Sequence, residues 1–272
     1  MKRLILAVLL TGLALAAGEF QFKNANFDIT FDTKGATVKK LIHNKVDWNA
    51  TGPKTQGNSF CDSRIGKTVE PKLQFNENFA ALEYTIENWK TYKTSGWADI
   101  TFSARGTVFN WLRMRKTYKI RTGNELEVVY EFMNLSKKAE PLNFSTRYFF
   151  HRTDRENYYW QPDAKGIQKR KQQKYMFFSK LPPQTFLAIG ADDNSGLLIE
   201  FPADRTAGLM NWFIKGRSAT TELFTDETVI PAGGKSTLSI KLHFSKDLNK
   251  LIAQKKFKSL RCSRVAKIPC SF

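Results

Sequence analysis

The stretch Leu112-Arg113-Met114-Arg115-Lys116-Thr117-Tyr118-Lys119-Ile120-Arg121-Thr122-Gly123-Asn124-Glu125-Leu126-Glu127-Val128-Val129-Tyr130-Glu131-Phe132 decides the fold class. In both halves apolar residues recur at alternate positions, interrupted at Lys116, the spacing that puts them on one face of a pleated strand. Only Arg121-Thr122-Gly123-Asn124 separates the halves, so the two strands are expected to pair antiparallel. Working outward, Phe20, Phe22, Phe27, Ile29 and Phe31 alternate with polar residues, and Asp32-Thr33-Lys34-Gly35 supplies a turn before a second strand from Ala36 to Ile42. Further strands are expected at Leu73 to Phe75, Ala81 to Ile86, Ala98 to Phe102, Thr185 to Ile189, Gly196 to Phe201, Thr220 to Phe224 and Ser236 to Phe244. Helical spacing occurs only in Asp247 to Phe257, where Leu248, Leu251 and Ile252 fall on one face. The chain is therefore all-β with a short C-terminal helix. Arg152 to Lys174 mixes aromatic, polar and basic residues without a period and reads as a long loop, a feature more often functional than incidental in a compact β-domain.

Of 272 residues, 42% are hydrophobic, enough for a substantial core, and 43 Lys and Arg against 25 Asp and Glu leave a net charge of +18. Charge of this size bears on partners rather than topology and points to an acidic one. Met1-Lys2-Arg3, the apolar run Leu4 to Leu15 and Ala14-Leu15-Ala16 have the order of a secretory signal peptide, with a run too short to span a bilayer. Its removal would take two charges from +18 and leave +16. The expected organisation is a signal peptide over 1–17, one β-domain over 18–246, and a helix with a basic tail over 247–272. Export, to the periplasm or outside the cell, makes nucleic acid an improbable partner, and no other stretch reaches transmembrane length. The three cysteines, Cys61, Cys262 and Cys270, form no Cys-x-x-Cys pair and no Cys/His cluster, so a structural zinc site is not expected, and no metal ligand or cofactor is assigned. In an oxidising compartment Cys262 and Cys270 could close a short loop and leave Cys61 over, although the spacing does not decide the pairing.

Phe27-Asp28-Ile29-Thr30-Phe31-Asp32-Thr33-Lys34-Gly35-Ala36-Thr37-Val38 resembles the first hairpin of galactose mutarotase-like proteins. Leu126 to Ser136, ending in Asn134-Leu135-Ser136, followed by Pro141-Leu142-Asn143-Phe144-Ser145-Thr146-Arg147-Tyr148-Phe149, resembles the same family's central run, where a strand leads into a His-x-Tyr-Phe motif. Thr221-Glu222-Leu223-Phe224 with Ile230-Pro231-Ala232-Gly233-Gly234 resembles its glutamate strand and Pro-Gly turn. The resemblance runs from Phe20 to Phe244 and implies a β-supersandwich, a large antiparallel two-sheet fold shared with aldose epimerases, domains of polysaccharide lyases and the periplasmic domain of bacterial membrane insertases.

In the epimerases a histidine gives a proton to the ring oxygen while a glutamate takes one from the anomeric hydroxyl, a pair that ring opening requires. Carried onto this sequence, the histidine position falls on Thr146, which does not titrate near neutral pH, and the glutamate position on Glu222. His151 lies at an odd offset from Thr146 and so points to the other face of a continuous strand. His43 and His243 read as structural or surface residues. The resemblance thus implies binding rather than turnover, with no catalytic residue assigned. Aromatic rings and polar side chains that suit sugar C–H faces and hydroxyls cluster at Tyr148, His151, Arg152, Trp160 and Gln161, and again at Trp212. The candidate carbohydrate-binding residues are Arg64, Arg147, His151, Trp160, Trp212 and Glu222, expected to share one sheet face. The basic run Lys165, Lys169, Arg170, Lys171 and Lys174 would favour acidic glycans carrying uronate or sulfate groups. The reading is an exported carbohydrate-binding protein without epimerase activity. The alternatives are an insertase-like domain that handles protein partners, and an active sugar epimerase or lyase using His151 or Tyr148 as a displaced acid.

Overall fold

The computed structural model describes residues 18–48, 60–69, 72–121, 123–150, 156–163, 166–179, 186–214 and 218–255. In chain order the strands are β1 (Glu19–Lys23), β2 (Phe27–Asp32), β3 (Thr37–His43), β4 (Val46–Asp47), β5 (Asp62–Val69), β6 (Lys72–Asn78) and β7 (Thr85–Tyr92). Then follow β8 (Trp97–Arg105), β9 (Leu112–Ile120), β10 (Glu125–Asn134), β11 (Glu140–Phe150), β12 (Asn157–Asp163), β13 (Gly166–Lys171) and β14 (Tyr175–Ser179). The last six are β15 (Phe186–Ala191), β16 (Gly196–Glu200), β17 (Thr206–Ile214), β18 (Ser218–Thr225), β19 (Thr228–Ile230) and β20 (Lys235–Ser245), before a helix α1 over residues 248–255.

Three sheets result. A nine-stranded sheet runs β13-β12-β15-β16-β20-β10-β9-β8-β7, a seven-stranded sheet runs β14-β17-β18-β11-β5-β6 with β19 paired to β11, and β1 to β4 form a small sheet in sequence order. The pairings between strands are antiparallel. The hairpin read from the opening stretch is the β9–β10 pair, with Leu126 opposite Ile120 and Val128 opposite Tyr118. Both remaining sheets pack on the inner face of the nine-stranded one. Phe20 and Phe31 of the small sheet meet Trp89, Phe102 and Tyr118, while Phe144 of β11 lies 4.7 Å from Tyr130 and 4.9 Å from Phe132. The expected supersandwich is present.

Two readings need correction. Ala81 to Ile86 is not one strand, because a 3₁₀ turn occupies Phe79–Ala81 and β7 starts only at Thr85. The long loop expected from Arg152 to Lys174 contains the β12–β13 hairpin. Its period is hidden because β12 is covered on both sides: Tyr159 joins the main core, and its neighbour Trp160 joins a second cluster with Phe186, Ala188, Leu198 and Leu248. A strand covered on both faces loses the alternation that marks a half-buried one.

The helix α1 makes that second cover. Leu248 lies over Gly190 and Gly196, which face each other across β15 and β16, and a Cβ at either glycine would overlap its side chain. The Asp247 carboxylate accepts a hydrogen bond from the Lys250 amide at 3.1 Å, an N-cap, and Trp160 Nε1 donates to Asn249 Oδ1 at 3.2 Å.

A buried lysine sits where the three sheets meet. Lys116 has an inward-facing position on β9, fully buried, and its ammonium donates to the carbonyls of Gly35 (3.1 Å), Ala36 (3.2 Å) and Cys61 (2.7 Å). All three carbonyl-bearing residues have positive φ, at 71°, 44° and 67°. Gly35 has a further reason to lack a side chain, since a Cβ there would lie 2.6 Å from the Ala80 carbonyl oxygen. Three donors thus meet three acceptors, which is the condition for burying an ammonium without orphaned protons.

Candidate functional site

Strand β11 runs through the middle of the seven-stranded sheet and divides its residues cleanly by parity. Phe144, Thr146 and Tyr148 face the nine-stranded sheet: Thr146 Oγ1 lies 2.9 Å from the Tyr130 hydroxyl, and Tyr148 packs its ring against Phe60. Ser145 and Arg147 therefore point to the opposite face. Register then builds a row across three strands, because Arg147 stands opposite Asp62 on β5 and opposite Glu222 on β18. One step along, Ser145 stands opposite Arg64 on β5.

The row is tightly bonded. Arg147 clamps Asp62 with two parallel hydrogen bonds, Nε to Oδ1 at 2.9 Å and Nη2 to Oδ2 at 2.5 Å, the fork geometry for which guanidinium suits a carboxylate. Ser145 Oγ donates to Glu222 Oε1 at 2.8 Å. Asp62, Ser145, Arg147 and Glu222 are all buried, with Glu222 only 2% exposed, while Arg64 is half-buried at the margin. Burial pushes the Glu222 carboxyl above the ordinary glutamate range, and Asp62 adds to the effect. The Ser145 hydrogen bond and the charges of Arg147 and Arg64 oppose it without cancelling it. The site therefore offers a carboxyl able to give or take a proton, a fixed guanidinium and a half-exposed one.

Of the six residues expected on one face, Arg64, Arg147 and Glu222 come together. Trp160 does not join them: it lies on the nine-stranded sheet under α1, where the helix and Phe186 enclose it. Trp212 holds the register position opposite Thr220 on β18, two residues from the Met210–Glu222 pair. His151 lies outside the described residues. Thr146, onto which the family histidine position falls, is turned away from Glu222, and the residue across from Glu222 is Arg147. Tyr148, the alternative acid, is likewise on the core side. His43 is buried in the small sheet beside Phe27 and Phe244, and His243 on β20 bonds Glu200 at 3.0 Å. Neither belongs to the Glu222 row.

Three members of the basic run lie elsewhere; Lys165 is outside the described residues, and Lys174 precedes β14, its carbonyl accepting from the Phe213 amide of β17 at 3.2 Å. Lys169, Arg170 and Lys171 are on β13, the edge of the nine-stranded sheet, with Lys169 over the rings of Tyr158 and Trp160 and Lys171 paired to Glu156 at 2.9 Å. Asp62 and Ser145 are site members that the sequence reading passed over. Asp62 shares strand parity with Arg64, which was the signal available for it. Among the described residues no cluster of His, Cys, Asp and Glu could hold a metal ion, and no helix is long and apolar enough to cross a membrane. Cys61 is a buried free thiol pushed up to about 12 by burial, against the opposing charge of Lys116.

No family model matches the sequence, and no curated protein does. Solved structures do match. The Slr1438 protein from Synechocystis sp. PCC 6803 superposes with a TM-score of 0.66 at 12% identity, over 89% of this chain and 100% of that one. A galactose mutarotase-like protein from Lactobacillus casei ATCC 334 gives 0.60 at 14% identity, over 84% and 100%. A galactose mutarotase related enzyme from Lactobacillus acidophilus gives 0.62 at 11% identity, over 84% and 98%. Likeness at such identities and coverage is a likeness of fold, and the chain has the galactose mutarotase-like fold.

Proposed function

We propose that this galactose mutarotase-like chain is an exported carbohydrate-binding protein that holds its ligand on the seven-stranded sheet at Glu222, Arg147 and Arg64, without epimerising it. The observation that carries the reading is the buried Asp62–Arg147–Glu222 row on the sheet face turned away from the main core. Charges withdrawn from water cost stability unless they are paired, and a well-packed apolar row would serve a purely structural face at least as well. Perturbed carboxyls of this kind concentrate at functional sites.

The absence of turnover rests on what stands opposite Glu222. Ring opening needs an acid and a base together. Arg147 cannot act as the acid because guanidinium does not release its proton in a protein, and Ser145 does not titrate near neutral pH. Arg64, half-exposed and near enough to bias Glu222, is the residue that would take a uronate or sulfate group, so acidic glycans are favoured over neutral ones.

A glycan array run at two salt concentrations tests the reading. Binding to uronate or sulfated glycans that weakens at high salt, and that Glu222→Gln and Arg64→Ala both reduce, supports it. Capture of a protein partner with no glycan bound would replace it with the interaction-domain reading.

A further inference from the structure

A cavity beside the small sheet shares no residue with the Glu222 row. The turn between β1 and β2, the turn between β3 and β4, and the end of β20 enclose about 510 Å³ lined by Lys23, Asn24, Asn26, Asp28, Lys45 and Lys246, among others. This is within the size range of small-molecule sites.

Its two walls are fixed to each other. Asn44 and Lys45 have φ of 48° and 68° between the paired residues His43 and Val46, the two-residue turn that matches strand twist and holds Lys45 at its tip. The facing turn is closed by Asn24 Oδ1, which accepts from the amides of Asn26 at 2.9 Å and Phe27 at 2.7 Å, while Asn24 Nδ2 anchors to the Gly96 carbonyl at 2.8 Å. The turns then bond to each other, the Asn44 amide to the Asn26 carbonyl at 2.9 Å and Asn26 Nδ2 to Asn44 Oδ1 at 3.2 Å.

The charge in this frame is unbalanced. Asp28 is the lining carboxylate, and it is already engaged by Gln21 and by Lys23 at 3.5 Å and Lys40 at 3.8 Å. Lys45 and Lys246 are exposed, and neither has a carboxylate partner among the described residues. Two lysines directed at one preorganised cavity raise the local concentration of anions and leave the ligand to complete the pairing. We propose that this cavity binds the anionic group, a carboxylate, sulfate ester or phosphate ester, of a ligand about the size of a monosaccharide, with Lys45 and Lys246 as its counter-charges and the pinned asparagine turns as its walls. The site is independent of Glu222.

The test is an amide chemical-shift titration of the full chain with glucuronate, glucose 6-sulfate and glucose 6-phosphate in separate arms, with glucose and inorganic phosphate as controls. The expected result is saturable binding of at least one anionic sugar, with a set of shifts at residues 23–28, 42–45 and 246 that saturates independently of any at residues 62–64, 145–147 and 222. Affinity should fall about tenfold or more in Lys45→Glu/Lys246→Glu, following the loss of two close charge pairs. The shifts at residues 23–28, 42–45 and 246 should titrate alike in the parent and in Glu222→Gln even where those at the Glu222 row are lost, which separates this site from the one proposed above. Equal affinity for glucose, equal affinity for inorganic phosphate, shifts that never saturate, or a double variant that binds like the parent would each overturn the proposal. An unchanged amide spectrum outside the mutated turns shows that the variant is folded.

Discussion

At the scale of single residues, two buried titratable groups have opposite duties. Glu222 has a folded-state pKa above its ordinary value of 4.5 because burial disfavours the carboxylate. The folded chain therefore holds this proton more tightly than the unfolded one. Its favourable contribution is complete below the ordinary glutamate range and is lost as pH rises through the folded value. Glu222→Gln, which keeps an acceptor for Ser145, should raise the melting temperature at pH 7 while weakening glycan binding, and the gain should vanish near pH 4. A gain that persisted unchanged at pH 4 would mean that charge burial is not its cause. Lys116 is pulled down from 10.5 to about 8, chiefly by burial, with Cys61 and Asp62 opposing. Its charged form is a cost that is fully present below about pH 8 and is relieved between there and 10.5, where the unfolded lysine still holds its proton. Removing it does not simply remove that cost, because three inward carbonyls would lose the ammonium and, of these, Ala36 alone keeps a close donor, the Tyr118 hydroxyl at 2.6 Å. Lys116→Met is expected to lower stability at pH 7, and the deficit should widen toward pH 9.5, read as paired thermal melts of variant and parent. A variant more stable than the parent at both pH values would show that the carbonyl cage does not need its ammonium.

At the scale of elements, α1 is held at both ends of its contact with the nine-stranded sheet. Its first turn lies on the Gly190–Gly196 pair and Trp160, and its far end is tied by Lys255, which bonds Glu200 together with His243. Leu248→Ala should cost about 2–5 kcal/mol in chemical denaturation, the range for a fully buried leucine, and shift Trp160 emission to the red as water reaches it. Unchanged emission would place the helix contact elsewhere. Although burial alone would raise it, the Glu200 carboxyl is held down to about 2 by hydrogen bonds from His243 and Lys255. Its contribution is present above 4.5 and lost as pH falls through about 2, so the stability gap between parent and Glu200→Gln should be full at pH 7 and close in strong acid. The same elements show where sequence is readable. Strands β9 and β10 bury one face and display their period, so their pairing could be read residue by residue. In β15 the residues are buried throughout, and β12 buries both Tyr159 and Trp160, because α1 covers the face that would otherwise be polar. No local pattern announces a helix that arrives some ninety residues later. The Glu222 row failed in the same way: Glu222 and Arg147 could be named singly, but Asp62 joins Arg147 across 85 residues of chain, and only strand order supplies that neighbour.

At the scale of the whole molecule, the positive side chains of the described residues that bear on a ligand fall in distinct places. Arg64 borders the Glu222 row, Lys45 and Lys246 line the cavity between the turns, and the β13 lysines and arginine sit on the edge of the nine-stranded sheet. Lys169 there lies over aromatic rings and Lys171 in an ion pair, so the basic run of the sequence is partly consumed by the fold itself. The proposed binding of acidic ligands therefore rests on Arg64 and on the turn cavity, and should show a modest salt dependence rather than the steep one of a polybasic surface. The central claim is that the Glu222 face retains a ligand without interconverting its anomers. Proton exchange spectroscopy on the best array ligand, mixed with the full chain, reads both halves at once: line broadening reports binding, and cross-peaks between α and β anomers report turnover. The expected result is broadened ligand signals that Glu222→Gln reduces, with anomer exchange no faster than in buffer. Exchange that the protein accelerates, and that Glu222→Gln removes, would contradict the claim and make this chain an enzyme.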